Sequence, residues 1–167
     1  EGSVAAPRSV AWLVPQPLRG SGGHRTIFQN VAALARAGYD CHVFVEPAGK
    51  KAPLPYQDAL AAERVIEELF GPVPATFHLG FELDREYDLA FATAWFTAEP
   101  LRRQARARRK AYFVQDYEGW FGGDGPEYVS RTYDLIPRMT AISTWLANEV
   151  KARHGYELFV VPMSADP

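Results

Sequence analysis

Residues 9–25 read SVAWLVPQPLRGSGGHR, an apolar run that passes through two prolines into a glycine-rich loop. The run Ser9 to Val14 predicts a buried strand, which ends at the prolines because proline cannot donate the N–H that a central strand needs. A loop is predicted from Gln16 to Gly23. From His24 onward apolar residues recur at helical spacing, which predicts a helix that ends near Gly38, since glycine commonly terminates helices. This order of strand, loop and helix predicts the first β-α unit of a parallel sheet.

The rest of the chain repeats this alternation of short apolar runs and longer helical patterns. Further strands are predicted at Cys41–Val45, Ala75–Leu79, Leu89–Thr93, Ala111–Val114, Thr140–Ser143 and Leu158–Val161. Helices are predicted near Gln57–Phe70, Pro100–Arg109, Glu127–Leu135 and Trp145–Arg153. The predicted fold class is therefore α/β: a Rossmann-like, doubly wound and mostly parallel sheet of six or seven strands, with helices on both faces.

Length and composition fit one globular domain, since the chain has 167 residues and 47% of them are hydrophobic. We expect residues 1–8 to be a disordered start or the remnant of an expression tag, and residues 9–162 to be the folded domain. Residues 163–167 are expected to begin a linker to a second domain. The formal net charge of -2 gives no global attraction to nucleic acid, and no such partner is predicted.

Cysteine, histidine and serine usage excludes several kinds of site. Cys41 is the single cysteine, so no internal disulfide can form, which fits a reducing cytoplasm. The four histidines lack the paired spacing of a metal site, and neither a metal nor another cofactor is predicted. The sequence contains no Gly-x-Ser-x-Gly, so a serine-hydrolase elbow is absent.

The glycine-rich loop is the first candidate binding site. Its Gly22 and Gly23 can present backbone N–H groups at the start of the first helix, where the helix dipole favours an anion. His24 and Arg25 add polar side chains at the same helix start. These residues predict a site for a phosphate or a carboxylate, the alternative being that the glycines only allow a tight connection.

A dinucleotide-binding loop is the rival interpretation of this stretch. Gly20 and Gly22 match the first part of that fingerprint, and Glu46 follows the second predicted strand, where a ribose-binding acid belongs. The match fails because Arg25 takes the third glycine position and the loop before Gly20 is too long for the tight turn. A nucleotide-cofactor oxidoreductase stays open as an alternative.

The second candidate site follows the predicted strand Ala111–Val114. Its polar residues are Gln115, Asp116 and Glu118, and its aromatic residues are Tyr117, Trp120 and Phe121. The carboxyl end of a parallel strand borders the ligand crevice, so the polar residues could bind sugar hydroxyls while the aromatic rings stack on pyranose rings. The alternative is a turn with solvated acids and aromatic residues packed in the core.

Two more residues are predicted at the same rim. Trp95 follows the fourth predicted strand and Ser143 ends the sixth, so both could face an acceptor. Core packing is the alternative for Trp95. For the helix that follows Ser143, the neighbouring Thr144 is a candidate cap.

A dense basic run lies on the predicted helix Pro100–Arg109. Its residues are Arg102, Arg103, Arg106, Arg108, Arg109 and the adjoining Lys110. Spacings of three and four place several of them on one helical face. The run predicts either a solvated helix or peripheral contact with an anionic membrane surface through Arg102, Arg103, Arg106 and Arg109.

Three stretches together resemble the acceptor domain of GT-B type glycosyltransferases. They are Gly22-Gly23-His24-Arg25-Thr26-Ile27, Tyr112 to Trp120 and Val160-Val161-Pro162. The string YFVQDYE in the second stretch is more specific than the glycine loop. The chain from Ser9 onward is similar to family four of these enzymes, in particular to the rhamnosyltransferases of bacterial rhamnan and surface-glycan synthesis.

The resemblance implies two Rossmann-like domains that face each other across a cleft. The C-terminal domain would hold a nucleotide sugar, such as deoxythymidine-diphosphate rhamnose, and the N-terminal domain a saccharide or lipid-linked saccharide acceptor. Gly22 and Gly23 would approach the donor diphosphate or the reacting sugar. The acceptor side would be lined by Gln115, Asp116 and Glu118. Metal is usually not required, and the enzyme would work in the cytoplasm, at the inner face of the membrane if the basic run binds lipid.

The sequence departs from the family pattern in two ways. The acidic pair of the C-terminal domain has no counterpart, so these 167 residues alone are expected to be inactive. The histidine that many members place near the fourth strand is replaced by Thr93-Ala94-Trp95, so no catalytic base is assigned. Retention of configuration, usual in the family, is an expectation, and a noncatalytic carbohydrate- or protein-binding module is the third alternative.

Overall fold

The computed structural model describes residues 8–49, 55–120 and 126–162. Within these ranges the strands are β1 (Ser9–Val14), β2 (Asp40–Val45), β3 (Thr76–Leu79), β4 (Leu89–Ala92), β5 (Lys110–Val114), β6 (Met139–Ala141) and β7 (Phe159–Val160). The helices are α1 (Gly22–Arg36), α2 (Ala59–Phe70), α3 (Trp95–Arg103), α4 (Pro126–Arg131) and α5 (Thr144–His154), with 3₁₀ turns at Glu118–Trp120 and Thr132–Asp134. Phe121, the predicted linker at 163–167 and the predicted start up to residue 7 lie outside the described residues.

The strands form one parallel sheet in the order β3-β2-β1-β4-β5-β6-β7. From β1 the chain winds outward to β2 and β3, then returns to the other side of β1 at β4 and winds outward in the opposite direction. This confirms the predicted Rossmann-like, doubly wound fold, with seven strands in the described part of the chain. The direction of winding changes between β1 and β4, and sheets of this kind bind ligands beyond the carboxyl ends of the strands at such a point.

The central strand β1 is buried on both faces, which explains its continuous apolar sequence. Trp12 belongs to the core on the face covered by α1 and α2, and its ring stacks on Phe91 with 4.3 Å between the centroids. Leu13 belongs to the core on the other face, together with Leu101 of α3 and Leu146 of α5. The helices therefore cover both faces of the sheet, as predicted.

Helix α1 begins at Gly22, before the predicted start at His24. The reason is the side chain of Ser21, which accepts a hydrogen bond from the backbone N–H of His24 and so caps the helix. Gly22 and Gly23 consequently lie in the first turn of α1 and not in the loop before it.

Helix α3 corrects the prediction of a basic helix at Pro100–Arg109, because it runs from Trp95 to Arg103. Its start is set by Thr97, whose Oγ1 accepts hydrogen bonds from the backbone N–H groups of Thr93 and Ala94. A helix can therefore follow β4 directly, although the residue at its N-cap position, Ala94, has no side chain that could accept a hydrogen bond.

The end of α3 is set by pairing outside the helix. The backbone N–H of Tyr87 donates to the oxygen of Arg106 at 2.7 Å, and the N–H of Arg108 donates to the oxygen of Tyr87 at 2.9 Å. These bonds form an isolated parallel bridge between Tyr87 and Ala107, so the chain after Arg103 turns and pairs beside the segment that leads into β4 instead of continuing the helix. Arg106 and Arg109 thus lie outside the helix, and the predicted common helical face with Arg102 and Arg103 is wrong.

Candidate functional site

The carboxyl edge of the sheet brings together the starts of two helices and the loop after β5. Helix α1 follows β1, helix α3 follows β4, and residues 115–120 follow β5. The hydroxyl of Thr93 donates a hydrogen bond to the backbone oxygen of Leu13 at 2.7 Å, which joins β4 to β1 where the winding reverses. We call residues 15–23, 93–95 and 115–120 the switch-point edge.

Gly23 lies against the side chain of Gln115, so the two predicted sites are neighbours at this edge. A β-carbon on Gly23 would lie 3.5 Å from Nε2 and 3.6 Å from Oε1 of Gln115. Oε1 of Gln115 is buried and has no hydrogen-bond partner among the described residues, although buried polar atoms ordinarily have one. Gly22 is exposed, with open space where its β-carbon would be.

His24 points into the protein and holds the glycine loop in place. Its Nδ1 lies 2.8 Å from the hydroxyl of Ser21, its Nε2 lies 3.2 Å from the backbone oxygen of Pro15, and its ring stacks on Phe70. Burial lowers the pKa of His24, which keeps the ring neutral at pH 7. His24 therefore shapes the loop, and the cation that remains exposed at this helix start is Arg25.

Glu118 joins β5, its loop and helix α3 through one carboxylate oxygen. Oε2 accepts hydrogen bonds from the hydroxyl of Tyr112 at 2.8 Å and from the backbone N–H of Trp95, the first residue of α3. Burial raises the pKa of Glu118 to about 7, the two hydrogen bonds oppose this rise, and the charge of Asp116 adds to it. The carboxyl group therefore changes its charge near neutral pH.

Asp116 is the exposed acid of the predicted polar triplet. Its Oδ1 accepts a hydrogen bond from the backbone N–H of Tyr117 at 2.8 Å, which fixes the turn that leads away from β5. Because the side chain faces solvent, its carboxylate is accessible to a polar ligand.

Tyr117 packs in the core and does not offer the stacking surface that the sequence predicts for it. Its side chain is 5% exposed, its hydroxyl lies 3.0 Å from Nε2 of His154, and the guanidinium of Arg153 lies 5.0 Å from its ring centre. A β-carbon on Gly119 would lie only 2.7 Å from Cε1 of Tyr117, so the ring can cross the chain only at a glycine. For Tyr117 the structure has the core packing that the sequence left as the alternative.

An exposed aromatic pair lies beside this loop. Trp120 is 54% exposed and Trp145 is 52% exposed, and their ring centroids are 5.8 Å apart. Sequence reasoning included Trp120 but missed Trp145. Trp145 could have been found from the sequence, because it is an aromatic residue in the first turn of the helix that follows β6. The first turn after a parallel strand lies at the carboxyl edge of the sheet, where ligands bind.

The two remaining rim residues have structural partners. Trp95 is half-buried and packs edge-on against Tyr128 of α4, with 5.7 Å between the centroids. Ser143 caps α5 by accepting a hydrogen bond from the backbone N–H of Leu146, so the cap is Ser143 and not Thr144. Whether either residue contacts an acceptor stays a prediction.

Glu46, the acid that the dinucleotide interpretation needs, is already engaged. Its Oε2 accepts a hydrogen bond from the backbone N–H of Gln16 at 3.0 Å, and its backbone oxygen accepts one from the hydroxyl of Tyr56. The other carboxylate oxygen, Oε1, accepts no hydrogen bond from the described residues. This arrangement therefore leaves the oxidoreductase alternative open.

Most cations of the basic run are paired within the protein. Arg102 and Arg103 both bind Glu99, and Arg108 binds Glu86 and Asp88. In addition, Arg106 donates to the backbone oxygen of Leu83, and Lys110 donates to that of Arg102. No helix in the described ranges has the length and apolar character needed to cross a bilayer. The peripheral membrane contact stays a prediction. Fewer cations of the basic run are free to bind an anionic lipid surface than the sequence suggests.

A surface cavity of about 640 Å³ lies away from the switch-point edge, beside the C-terminal end of α3. It is lined by Phe81, Glu82, Glu99, Pro100, Arg103, Gln104, Ala105 and Arg106. Several of these side chains already bind one another or the backbone of Leu83. We therefore consider the switch-point edge, and not this cavity, to be the candidate functional site.

The described residues contain no cluster of three or more histidine, cysteine or acidic side chains that could hold a metal ion. No known protein-family model matches the chain, and no curated protein is significantly similar to it. The features of this chain that bear on function are therefore the geometry of the switch-point edge and the short motifs that form it.

Proposed function

We propose that this chain is the acceptor-side domain of a GT-B type glycosyltransferase, which transfers a sugar from a nucleotide sugar to a saccharide acceptor. The observation that carries the proposal is the contact between Gly23 and Gln115 at the switch-point edge. It joins a helix start suited to an anion and a loop of hydroxyl-binding side chains, which are the two features that such a transfer needs.

The residues exposed at this edge suggest which part of it would bind the donor and which part the acceptor. Gly22 is exposed at the first turn of α1 and Arg25 is exposed beside it, so this helix start suits the diphosphate of a donor. On the other side the exposed carboxylate of Asp116 suits acceptor hydroxyls, and Gln115, whose Oε1 is buried, stays a predicted acceptor residue. Rhamnose is the donor sugar that the resemblance favours, and the reaction would take place in the cytoplasm.

A second domain is part of the proposal. Stabilising the transition state of sugar transfer requires groups on both sides of the reacting sugar, and the switch-point edge supplies one side. We therefore expect residues 1–167 alone to bind substrates weakly and to turn over negligibly, whereas the full-length gene product is active.

The test is transfer of labelled sugar from a panel of nucleotide sugars by the full-length gene product, with Asp116→Asn as the site variant. Glu157→Gln is the matched control, because Glu157 is exposed and pairs with Lys151 at the surface. We expect transfer by the wild type and the control, and at least a tenfold loss in Asp116→Asn. An inactive wild type with every donor would reject the proposal.

One observation favours a second candidate, a noncatalytic saccharide-binding module. The exposed pair Trp120 and Trp145 is the kind of apolar surface on which sugar rings stack. Saccharide binding that is lost in Trp120→Ala and Trp145→Ala, together with no transfer by the full-length protein, would favour this candidate.

A further inference from the structure

Two histidines share a hydrogen bond beside the last strand at one side of the sheet. Nδ1 of His42, on β2, lies 2.8 Å from Nε2 of His78, on β3. The ring of His78 also stacks on Phe44, with 4.3 Å between the centroids. His42 is buried and His78 is partly buried. This pair ties β3, which stands at the end of the strand order, to β2.

The residues between β3 and β4 close around the histidine pair, and we call residues 80–88 the β3–β4 loop. A guanidinium nitrogen of Arg85 lies 2.8 Å from Nε2 of His42, and Oδ2 of Asp84 lies 4.0 Å from Nδ1 of His78. The titratable and charged side chains that face the two rings are Asp40 of β2 and Asp84, Arg85 and Tyr87 of the loop. The pair and the loop therefore form one network.

The contact with Arg85 determines where the ring protons lie. Arginine nitrogens only donate, so Nε2 of His42 accepts this hydrogen bond and the proton of the neutral ring lies on Nδ1. Nδ1 then donates to Nε2 of His78, and the proton of His78 lies on Nδ1, which faces Asp84. A neutral imidazole has one nitrogen that can accept, and in both rings this nitrogen is occupied. Any added proton must therefore break one of the two hydrogen bonds.

We propose that the His42–His78 pair is a pH-operated latch, which holds β3 and the β3–β4 loop against β2 at neutral pH and releases them when His78 takes up a proton. His78 is the ring that takes it up because it is partly exposed, whereas a proton on Nε2 of buried His42 would face the guanidinium of Arg85. The new N–H of His78 would face the N–H of His42, so the rings must separate. Phe81 and Glu82 of the loop line the cavity beside α3, so its shape changes with the latch.

Acidification favours the open form of the latch. In the closed form burial lowers the pKa of His78, Asp84 opposes this, and His42 and Arg85 lower the pKa further. In the open form the ring is solvated and its pKa returns to about 6.5. The open form therefore binds more protons, and its population rises as pH falls below about 6.5, by up to about tenfold for each pH unit.

The test is amide hydrogen exchange of the intact chain at about pH 7.5 and pH 5.5, with each rate divided by that of the unfolded chain at the same pH. We expect the protection of residues 76–80 to fall about tenfold in acid, while β1 keeps its protection. His78→Gln can still accept from the N–H of His42 but takes up no proton, so its protection should be the same at both pH values. His154→Gln is the matched control and should respond as the wild type does, because His154 contacts Tyr117 and not the latch.

NMR titration of the His78 ring in the wild type adds a test that needs no variant. Proton uptake by His78 and the loss of protection in residues 76–80 should occur over the same pH range. Uptake without loss of protection would overturn the latch, as would protection that does not depend on pH or an equal acid response in His78→Gln. If His78→Gln lacks protection at both pH values, the coincidence in the wild type decides. None of these measurements requires sugar transfer, so the latch and the proposed function can fail separately.

Discussion

The ring of Tyr117 lies directly over Gly119, where a β-carbon would be 2.7 Å from Cε1 of the ring. Gly119→Ala must therefore displace the ring or the loop and weaken the contact of Tyr117 with His154. We expect the free energy of unfolding to fall by about 1–3 kcal/mol, as is usual for overpacking. Urea denaturation of the domain measures this change in the free energy of unfolding.

Gly22→Ala is the matched control for this substitution. Nothing lies within 4 Å of the added β-carbon, and Gly22 is in the first turn of α1, so its stability should be unchanged or slightly higher. Equal losses in the two variants would contradict the role of Tyr117.

The stability of the domain should depend on pH through Glu118. Its pKa is about 7 in the folded protein and 4.5 for the unperturbed group, so the folded state binds more protons between these values and loses stability as pH rises through them. Relative to Glu118→Gln, the wild type should lose about 2 kcal/mol between pH 5 and pH 8. Urea denaturation at both pH values checks this, and a difference that does not change with pH would contradict the raised pKa.

The hydroxyl of Tyr112 should lower the pKa of Glu118, since it donates to the ionised carboxylate. Tyr112→Phe removes this hydrogen bond and is expected to move the pKa further upward. NMR titration of the Glu118 side-chain carbon measures the pKa directly. Tyr156→Phe is the control, because the hydroxyl of Tyr156 binds Asp134 and not Glu118, and an equal shift in the two variants would argue against the effect.

The cap at Ser21 should contribute measurably to stability. Ser21→Ala removes the hydrogen bond to the backbone N–H of His24 and the contact with the His24 ring, and we expect a loss of about 1 kcal/mol in the free energy of unfolding. Ser21→Asp keeps a capping oxygen and should recover most of it. If aspartate is as destabilising as alanine, capping is not the main role of Ser21.

The fold could be predicted from the sequence because its main signals are local. Ser9 to Val14 is apolar throughout since both faces of β1 are covered, and the helical repeat after Gly23 describes the buried side of α1. The position of the switch-point edge could also be predicted from the sequence, because the carboxyl ends of parallel strands meet at one edge of the sheet.

The missed features depend on contacts between distant segments. The burial of Tyr117 requires His154 at the far end of α5, and the end of α3 requires Tyr87, which pairs with the residues after Arg103. No local sequence pattern around Tyr117 indicates its contact with His154, and none after Arg103 indicates the pairing with Tyr87. The basic run was therefore predicted to be one helix, and Tyr117 was predicted to be exposed like Trp120.

The hydrogen bond from Thr93 to Leu13 joins residues 80 positions apart, and this separation affects synthesis of the chain. On the ribosome, β1 can pair with β2 as soon as that strand emerges, while its other side has no partner until β4 follows. During that interval a bare strand edge is available to other nascent chains or to chaperones. Slowing translation before β4 has emerged from the ribosome should therefore promote aggregation more than slowing it afterwards, which a comparison of the insoluble fraction of the two products measures.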